Sequence, residues 1–171
     1  VHLGLIERGA RVEAIARLIE KAKPDLIISD GDLIDAAATD MNDLADRLAQ
    51  LKAPLGKFAV LGNHEWYVGL SYSEAFHRRA GFRLLRGEAV RLPGDVLVAG
   101  VDDPTGRGRG SSPQTAEDAI LPTGPERPFT LLLKHRPQIE PGSLGRFDLQ
   151  VSGHTHSGQI FPFNWIVRTS F

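Results

Sequence analysis

The stretch that decides the fold is residues 26–35, which read LIISDGDLID. Its first three residues are apolar, and a short apolar run of this kind predicts a buried strand. Upstream, apolar side chains recur at helical spacing over residues 11–22, which predicts an amphipathic helix that Pro24 and Asp25 end. The strand therefore follows a helix directly, and the polar residues of the stretch come where the strand ends.

The same alternation occurs once more along the chain. Apolar residues at helical spacing over 44–51 predict a second helix, which Pro54 and Gly56 end. Residues 58–61 (FAVL) then predict a second buried strand. Because helices and strands alternate here with short connections, we expect a parallel α/β sheet.

The middle of the chain has a different pattern. Ser73 is a good N-cap for a further helix, and Gly81 is placed to end that helix after Ala80. Three short strands joined by glycine-containing turns follow, at residues 83–85, 89–92 and 96–101. We expect these three strands to pair in an antiparallel manner.

Residues 102–128 are rich in glycine, proline, serine and threonine, and we interpret them as a long surface loop rather than a domain boundary. Strand patterns resume beyond this loop, at residues 130–133, 149–151 and 159–161. A chain of 171 residues is also long enough to bury a core without disulfide bonds. We therefore expect a single domain over residues 1–171.

Chemically active side chains follow the predicted strands at the point where each strand ends. These residues are Asp30, Asp32, Asp35, Asn63, His64, Glu65, His135, His154 and His156, with His2 placed to end an earlier strand. Five of the six histidines are among them, which a scatter of structural histidines would not produce. The carboxyl ends of parallel strands share one edge of a sheet, and ligands bind there. Imidazole, carboxylate and amide oxygen together suit Mn, Fe, Zn or Ni, so this edge is predicted to hold a transition metal.

Composition narrows the classes of function. Hydrophobic residues make up 42% of the chain and charged residues 24%, which is typical of a globular protein. The formal charge of -1 provides no basic field for a nucleic-acid partner. Since the chain has no cysteine, disulfide frameworks, thiolate metal sites and cysteine nucleophiles are excluded. The longest apolar stretches, such as residues 96–101, are far shorter than the ~20 residues that span a bilayer.

The order and spacing of the motifs resemble those of the calcineurin-like metallophosphoesterases. The pattern of that family is Asp-x-His, Gly-Asp-x-x-Asp, Gly-Asn-His-Asp/Glu, a lone His after a strand, and Gly-His-x-His. The matching residues here are His2, residues 31–35, residues 62–65, His135 and residues 153–156. The resemblance implies an αββα sandwich with mixed sheets. Since the first Asp of the pattern would immediately precede Val1, we expect a fragment truncated at both ends, with a site impaired by the missing Asp.

The resemblance also implies a role for each matched residue. Asp32 would bridge two divalent metals about 3.5 Å apart. The further ligands implied are His2 and His156 for one metal, together with the Asp missing from the first motif, and Asn63, His135 and His154 for the other. A hydroxide that bridges the metals would attack phosphorus. His64 would then stabilise or protonate the leaving oxygen.

The function implied is a two-metal phosphomonoesterase or phosphodiesterase acting on a small-molecule or lipid-linked phosphoester, with manganese among the candidate metals. A non-catalytic member that serves as a binding scaffold is the alternative, although a scaffold has no reason to retain the whole ligand set. A nuclease is disfavoured by the near-zero net charge. Residues 153–159 (GHTHSGQ) are similar to a bacterial branch that often carries a membrane-spanning N-terminus. We expect a membrane-associated parent protein and a soluble fragment, and the cellular location stays open.

Residues beside the motifs carry further expectations. We interpret His77, with the two arginines that follow it, as part of a solvated helix face. Trp66 and Tyr67 either line the mouth of the site or pack at its edge. Asp35 either orients a metal-bound imidazole or caps a helix.

Acidic residues should crowd the metal-binding edge. They are Asp30, Asp32, Asp35 and Glu65. Without a cation these carboxylates would repel each other, which raises their pKa values. Because a bound metal relieves that repulsion, we expect divalent metal to raise the melting temperature.

Overall fold

Two β-sheets form the centre of the part of the protein that the structure describes. The computed structural model describes residues 2–3, 9–37, 41–108 and 117–155. The first sheet is parallel, and its strands in spatial order are β1 (Ile27–Ser29), β2 (Lys57–Ala59) and β3 (Arg83–Leu84). The second sheet contains β4 (Glu88–Leu92), β5 (Val96–Gly100), β6 (Phe129–Leu133) and β7 (Leu149–Val151), again in spatial order. In this sheet β4 is antiparallel to β5, while β5, β6 and β7 run parallel.

Helices precede β1 and lie in several of the connections between strands. They are α1 (Gly9–Ala22), α2 (Met41–Ala49), α3 (Asn63–Val68), α4 (Leu70–Arg79) and α5 (Glu117–Ile120), with 3₁₀ turns at Pro104–Gly106 and Pro141–Ser143. The helices predicted over 11–22 and 44–51 are thus confirmed as α1 and α2. The predicted strand at 159–161 lies outside the described residues.

Side chains that alternate along the strands divide the core into layers. Ile27 and Ala59 belong to a cluster that packs against α1, α2 and α4, whereas Phe58 packs toward the second sheet. In the second sheet, Leu131 and Leu133 face the first sheet and Leu132 faces α5. The period of two is what places successive residues on opposite faces of a strand. The layers therefore run helices, sheet, sheet, helix, and the predicted mixed α/β sandwich is confirmed.

Two local predictions are wrong. Strand β3 pairs parallel to β2, not antiparallel, because α3 and α4 lie between the two strands and return the chain to its starting end. Ser73 is inside α4 rather than at its start, since the helix begins at Leu70 directly after Gly69. The Ser73 hydroxyl instead donates a hydrogen bond of 2.9 Å to the carbonyl of Glu65, which lies in α3.

Part of the stretch at 102–128 packs into the body of the domain. Asp103 and Gly106 are buried beside the first 3₁₀ turn, and Leu121 is buried after α5. The backbone N–H of Asp103 donates to the carbonyl of Leu61, at 3.3 Å. This contact joins the segment after β5 to the end of β2, so it ties the two sheets together beside the predicted site.

Lys57 connects the ends of two helices. Its side chain is buried, and Nζ donates to the carbonyls of Leu48 (2.6 Å) and Ala80 (2.5 Å), at the C-terminal ends of α2 and α4. The same ammonium lies 4.8 Å from the centre of the Phe82 ring. Cations are favourable at helix C-termini because the terminal carbonyls carry partial negative charge.

We expect Lys57→Met to lower the free energy of unfolding by about 1–3 kcal/mol, because it removes the donor shared by two buried carbonyls. Thermal and denaturant melting of the purified chain measure this loss. Lys52→Met is the matched control, since Lys52 is exposed and should change the stability by less than about 0.5 kcal/mol. Equal melting of the two variants would contradict the role given to Lys57.

Candidate metal centre

Ligand-type side chains converge where the strands of both sheets end. Asp32 follows β1, Asn63 begins α3 after β2, His135 follows β6 and His154 follows β7. His2 lies beside them because its backbone N–H donates to the Asp32 carbonyl at 2.9 Å. The next residue, Leu3, forms a parallel β-bridge with Ile34.

His135 is at the centre of the first group of ligands. Its Nδ1 lies 2.9 Å from the carbonyl oxygen of Asp30, which can only accept, so Nδ1 carries the proton of this hydrogen bond. Its Nε2 is 3.1 Å from Asp32 Oδ2, 3.2 Å from Asn63 Oδ1 and 3.2 Å from His154 Nδ1. The last two atoms are themselves 3.0 Å apart.

This cluster has the chemistry of a cation site. In the neutral state, His135 Nε2 is a lone-pair acceptor, and it faces a carboxylate oxygen and an amide oxygen. Acceptors that converge without a shared proton repel each other, and a divalent cation at their centre removes that repulsion. The ligand atoms of Asp32, His135 and His154 all lie within 4.8 Å of one another, so the residues present fit a transition metal.

A second group shares Asp32 with the first. His2, Asp32 and His64 also place ligand atoms within 4.8 Å of one another. His2 Nε2 is 3.8 Å from Asp32 Oδ2, and the rings of His2 and His64 meet edge to face with centroids 4.6 Å apart. The backbone N–H of His64 donates to Asp32 Oδ1 at 3.0 Å. Asp32 therefore lies between two sets of imidazoles.

The pKa shifts follow from this crowding. Burial acts to raise the pKa of Asp32, but hydrogen bonds with His135 and the His64 N–H outweigh it and lower that pKa from 3.8 to about 2. Burial acts to lower the pKa of His135, yet its bonds to Asp32 and the Asp30 carbonyl raise that pKa above 6.5. Burial and the neighbouring His135 lower the pKa of His154. Asp32 is thus a carboxylate at neutral pH.

Two glycines allow the loops to approach each other. A Cβ added at Gly62 would lie 2.2 Å from Asp32 Oδ1, and one at Gly31 would lie 2.7 Å from both His135 Nδ1 and the Gly62 nitrogen. Gly31 also has φ of +93°, which other residues rarely adopt. The glycines of the GD and GN motifs are therefore needed for close packing around the ligands.

Comparison with known proteins decides the family. A model of the family "Calcineurin-like phosphoesterase" matches residues 1–158. The chain belongs to this family. The predicted resemblance is thereby confirmed over nearly the whole chain.

Relatives in several organisms share this phosphoesterase domain. An uncharacterized metallophosphoesterase of Aquifex aeolicus is 46% identical over 161 residues, which cover 94% of this chain and 62% of the relative. One from Helicobacter pylori is 32% identical over 170 residues, 98% of this chain and 45% of the relative. A transmembrane protein with metallophosphoesterase domain from Bos taurus is 32% identical over 184 residues, 96% of this chain and 40% of the relative. The chain thus spans between 40% and 62% of the length of these relatives.

No solved structure matches the phosphoesterase chain. Within the described residues, none of the helices has both the length and the apolar character needed to cross a membrane. The predicted ligand His156 lies outside the described residues. The predicted ligands that are described, His2, Asp32, Asn63, His135 and His154, are all brought together in this domain.

The predictions for Glu65 and His77 are wrong. Glu65 does not crowd the metal ligands, because its carboxylate is fully buried behind them and accepts backbone N–H groups. His77 is fully buried instead of solvated: Nδ1 lies 2.8 Å from the Ser73 carbonyl, and the ring packs edge to face with Phe76 and Phe82. The position of Glu65, three residues after the helix-capping Gly62, was the sequence signal for its inward direction.

The two aromatic residues after the GNHE motif have different environments. Trp66 is buried and packs so closely on the first 3₁₀ turn that a Cβ at Gly106 would lie 2.3 Å from the indole. Tyr67 is 62% exposed, and its ring centroid is 5.8 Å from that of His64. Trp66 thus packs in the core and Tyr67 lies beside the site.

Asp35 Oδ2 is 4.0 Å from His2 Nδ1, too far for a hydrogen bond.

A cavity of about 350 Å³ adjoins His135 on its second-sheet side. Arg136 lines it, with Nε 2.8 Å from Asp103 Oδ2 and one terminal nitrogen 3.2 Å from Thr105 Oγ1. Lys134 also lines it and is paired with the buried Glu117. Sequence analysis missed these pairs, because their partners are separated by a stretch that carries no motif.

The converging acceptors predict that metal stabilises the domain. At a Mn²⁺ or Zn²⁺ concentration 100-fold above Kd, binding to the folded state adds about 2.7 kcal/mol, which raises the Tm by about 5–10 °C. Melting curves with and without metal measure this shift, and His135→Ala should abolish most of it. A wild-type Tm that excess metal does not move would contradict the metal site.

Because His77 is buried, we expect the folded protein to lose stability in acid. Burial lowers its pKa below the ordinary 6.5, although the charge of Glu65 and the bond to the Ser73 carbonyl oppose this shift. The unfolded chain therefore binds a proton first, so this contribution to stability is complete above pH 6.5 and falls as the pH drops below it. We expect His77→Gln to flatten the dependence of the unfolding free energy on pH below 6.5. An unchanged slope in that variant would show that other groups cause the acid loss.

Proposed function

We propose that this chain is the catalytic domain of a metal-dependent phosphoester hydrolase that uses two divalent metals. The observation that carries the proposal is the position of Asp32, whose carboxylate belongs to both groups of ligand atoms. A carboxylate offers two oxygens and can serve two cations at once, whereas a neutral imidazole offers one lone pair. Membership of the calcineurin-like phosphoesterase family supports the same reaction.

Each side chain has a role in this proposal. Asn63, His135 and His154 would hold one metal with Asp32, as their contacts of 3.0–3.2 Å suggest. His2 would hold the other with Asp32, and His156 is proposed as its further ligand from the motif alone. When bound, divalent metals such as Mn²⁺ supply Lewis acidity toward phosphate oxygens and lower the pKa of water.

His64 is the proposed acid for the leaving group. Its backbone N–H is bonded to Asp32, which fixes the residue beside the ligands, while its ring packs edge to face with His2 and Tyr67. A positioned imidazole can donate a proton to the departing oxygen at neutral pH. Asp32 and His135 would orient the phosphoryl group indirectly, because they would hold the metals that bind its oxygens.

The substrate class proposed is a small-molecule or lipid-linked phosphoester, cleaved as a monoester or a diester. The cavity beside His135 provides room for the part of the substrate that is not transferred. Its walls carry polar and charged groups that include Arg136 and Lys134. Membrane association of the whole protein is part of the proposal, and it is motivated by the relative from Bos taurus, whose name describes a transmembrane protein.

The neighbours His64 and Asn63 should fail in different ways when they are replaced. We expect His64→Ala to keep its metal content and to lose about 10²–10⁴ in rate, the usual effect of losing a positioned acid. The loss should be smallest for a nitrophenolate leaving group, which departs without a proton. Asn63→Ala should instead lose metal, and added metal should restore part of its rate.

The experiment combines elemental analysis with kcat/KM on matched esters of good and poor leaving groups. Tyr67→Phe, which keeps the ring beside His64, is the control for nonspecific disturbance of this helix. If His64→Ala lost the same rate with both leaving groups, His64 would only shape the site. If it lost metal, His64 would be a ligand, which the grouping with His2 and Asp32 also permits.

A further inference from the structure

The carboxylate of Glu65 accepts four backbone hydrogen bonds in the interior of the protein. Oε2 accepts from the N–H groups of Asp32 (2.9 Å) and Gly62 (2.8 Å). Oε1 accepts from those of Leu33 (2.7 Å) and Ile34 (3.1 Å). The side chain is fully buried, and each oxygen has two donors. A buried charge with this many donors costs far less free energy than an unpaired one.

The four donors belong to the two loops that carry metal ligands. Three of them come from the loop after β1, which contains Asp32, and the fourth comes from the residue before Asn63. Asp32 has φ of +52°, a left-handed conformation that is uncommon for residues other than glycine. Glu65 compensates for this strained backbone, since it accepts from Asp32 itself and from the two residues that follow.

Glu65 is in turn held in place by the end of its own helix, α3, and by a contact from α4. Its carbonyl accepts the N–H of Gly69 at 3.1 Å and the hydroxyl of Ser73 at 2.9 Å. Its carboxylate is absent from both groups of candidate ligand atoms among the described residues. Glu65 is thus close to the site without being a candidate ligand.

We propose that Glu65 is a positioning residue that fixes Asp32 and Asn63 in the geometry that binds metal. This inference rests on the proposed function, because it concerns the same site. The carboxylate acts through the backbone: it sets the direction of the Asp32 side chain and the distance between the loops after β1 and β2. Hydrogen-bond partners that orient metal ligands typically contribute 10–100-fold in metal affinity.

The chemistry of the acceptor predicts the order of variants. Glu65→Gln conserves volume, but its amide presents an NH₂ donor to two N–H groups that already need an acceptor. Glu65→Asp conserves the charge and both acceptors, and it is shorter by one methylene. We therefore expect metal affinity to fall in the order Glu, Asp, Gln, with a loss of about 10–100-fold for Glu65→Gln and a smaller loss for Glu65→Asp.

Asp148 offers a matched control. Its carboxylate also accepts a backbone N–H, that of Thr130 at 2.7 Å, and it pairs with Arg127. These contacts lie at the start of β6 and before β7, at the opposite end of the strands from the ligands. Asp148→Asn should therefore lower the Tm and leave the metal affinity unchanged.

The test is titration of Mn²⁺ into the metal-free chain. Binding is measured by calorimetry and by the electron paramagnetic resonance of free Mn²⁺, and the Tm of each variant is measured in chelator. Support for the inference is a weaker affinity for Glu65→Gln, partial recovery in Glu65→Asp, and wild-type affinity for Asp148→Asn. If Glu65→Gln does not fold, the Mn²⁺ affinities of Glu65→Asp and Asp148→Asn are compared at temperatures equally far below each variant's Tm. A weaker affinity in Glu65→Asp alone supports the inference.

Two outcomes would overturn the inference, and they have different meanings. If wild type binds Mn²⁺ and a folded Glu65 variant binds it equally well, Glu65 stabilises the fold only, and the proposed function stands. If wild type binds neither Mn²⁺ nor Zn²⁺, the proposed function fails and this inference fails with it.

Discussion

The close approach of the loops after β1 and β2 is the constraint on which the site depends. At Gly62 the backbone of one loop touches the Asp32 side chain of the other, so a single methyl group would separate them. The carboxylate of Glu65 binds both loops from behind with four backbone hydrogen bonds. Backbone contact and buried charge together hold a carboxylate and an amide within reach of the histidines from the second sheet.

The apolar core sets the distance between the two halves of the site. The first sheet supplies Asp32 and Asn63, and the second supplies His135 and His154. Their facing layers pack through one shared cluster of apolar side chains, which includes Phe58 and Leu133. Close packing allows little sliding of one sheet on the other. The strand ends of both sheets are therefore held in register, and the ligand atoms meet between them.

The convergence of acceptor atoms in the site is unfavourable, and the rest of the fold has to offset it. Acceptors converge on His135 Nε2, and a proton or a cation is needed to make that arrangement favourable. The rest of the domain supplies the compensation through apolar burial and satisfied polar contacts such as that of Lys57 with two helix ends. Preorganised ligands of this kind are what allow a metal site to bind without rearrangement.

Much of the site was predictable from the sequence, because its residues follow short apolar strands in a fixed order. The GDxxD, GNHE and GHTH motifs, placed at strand ends, indicated the family. In the structure, Asp32, Asn63, His135 and His154 lie close together. The helices α1 and α2 were predictable for a similar reason, since their apolar periodicity is local. Local patterns of this kind need no knowledge of distant contacts.

Contacts between residues far apart in the chain decided which way several side chains point. His77 has charged neighbours in sequence, yet α4 turns it into the core between Phe76 and Phe82. Glu65 belongs to a ligand motif, yet three of its four donors come from residues some thirty positions earlier in the chain, Asp32, Leu33 and Ile34. The parallel pairing of β3 likewise depends on how two helices return the chain. In each case the deciding contact joins residues that packing brings together. Local sequence patterns do not show how close such residues lie in the folded chain.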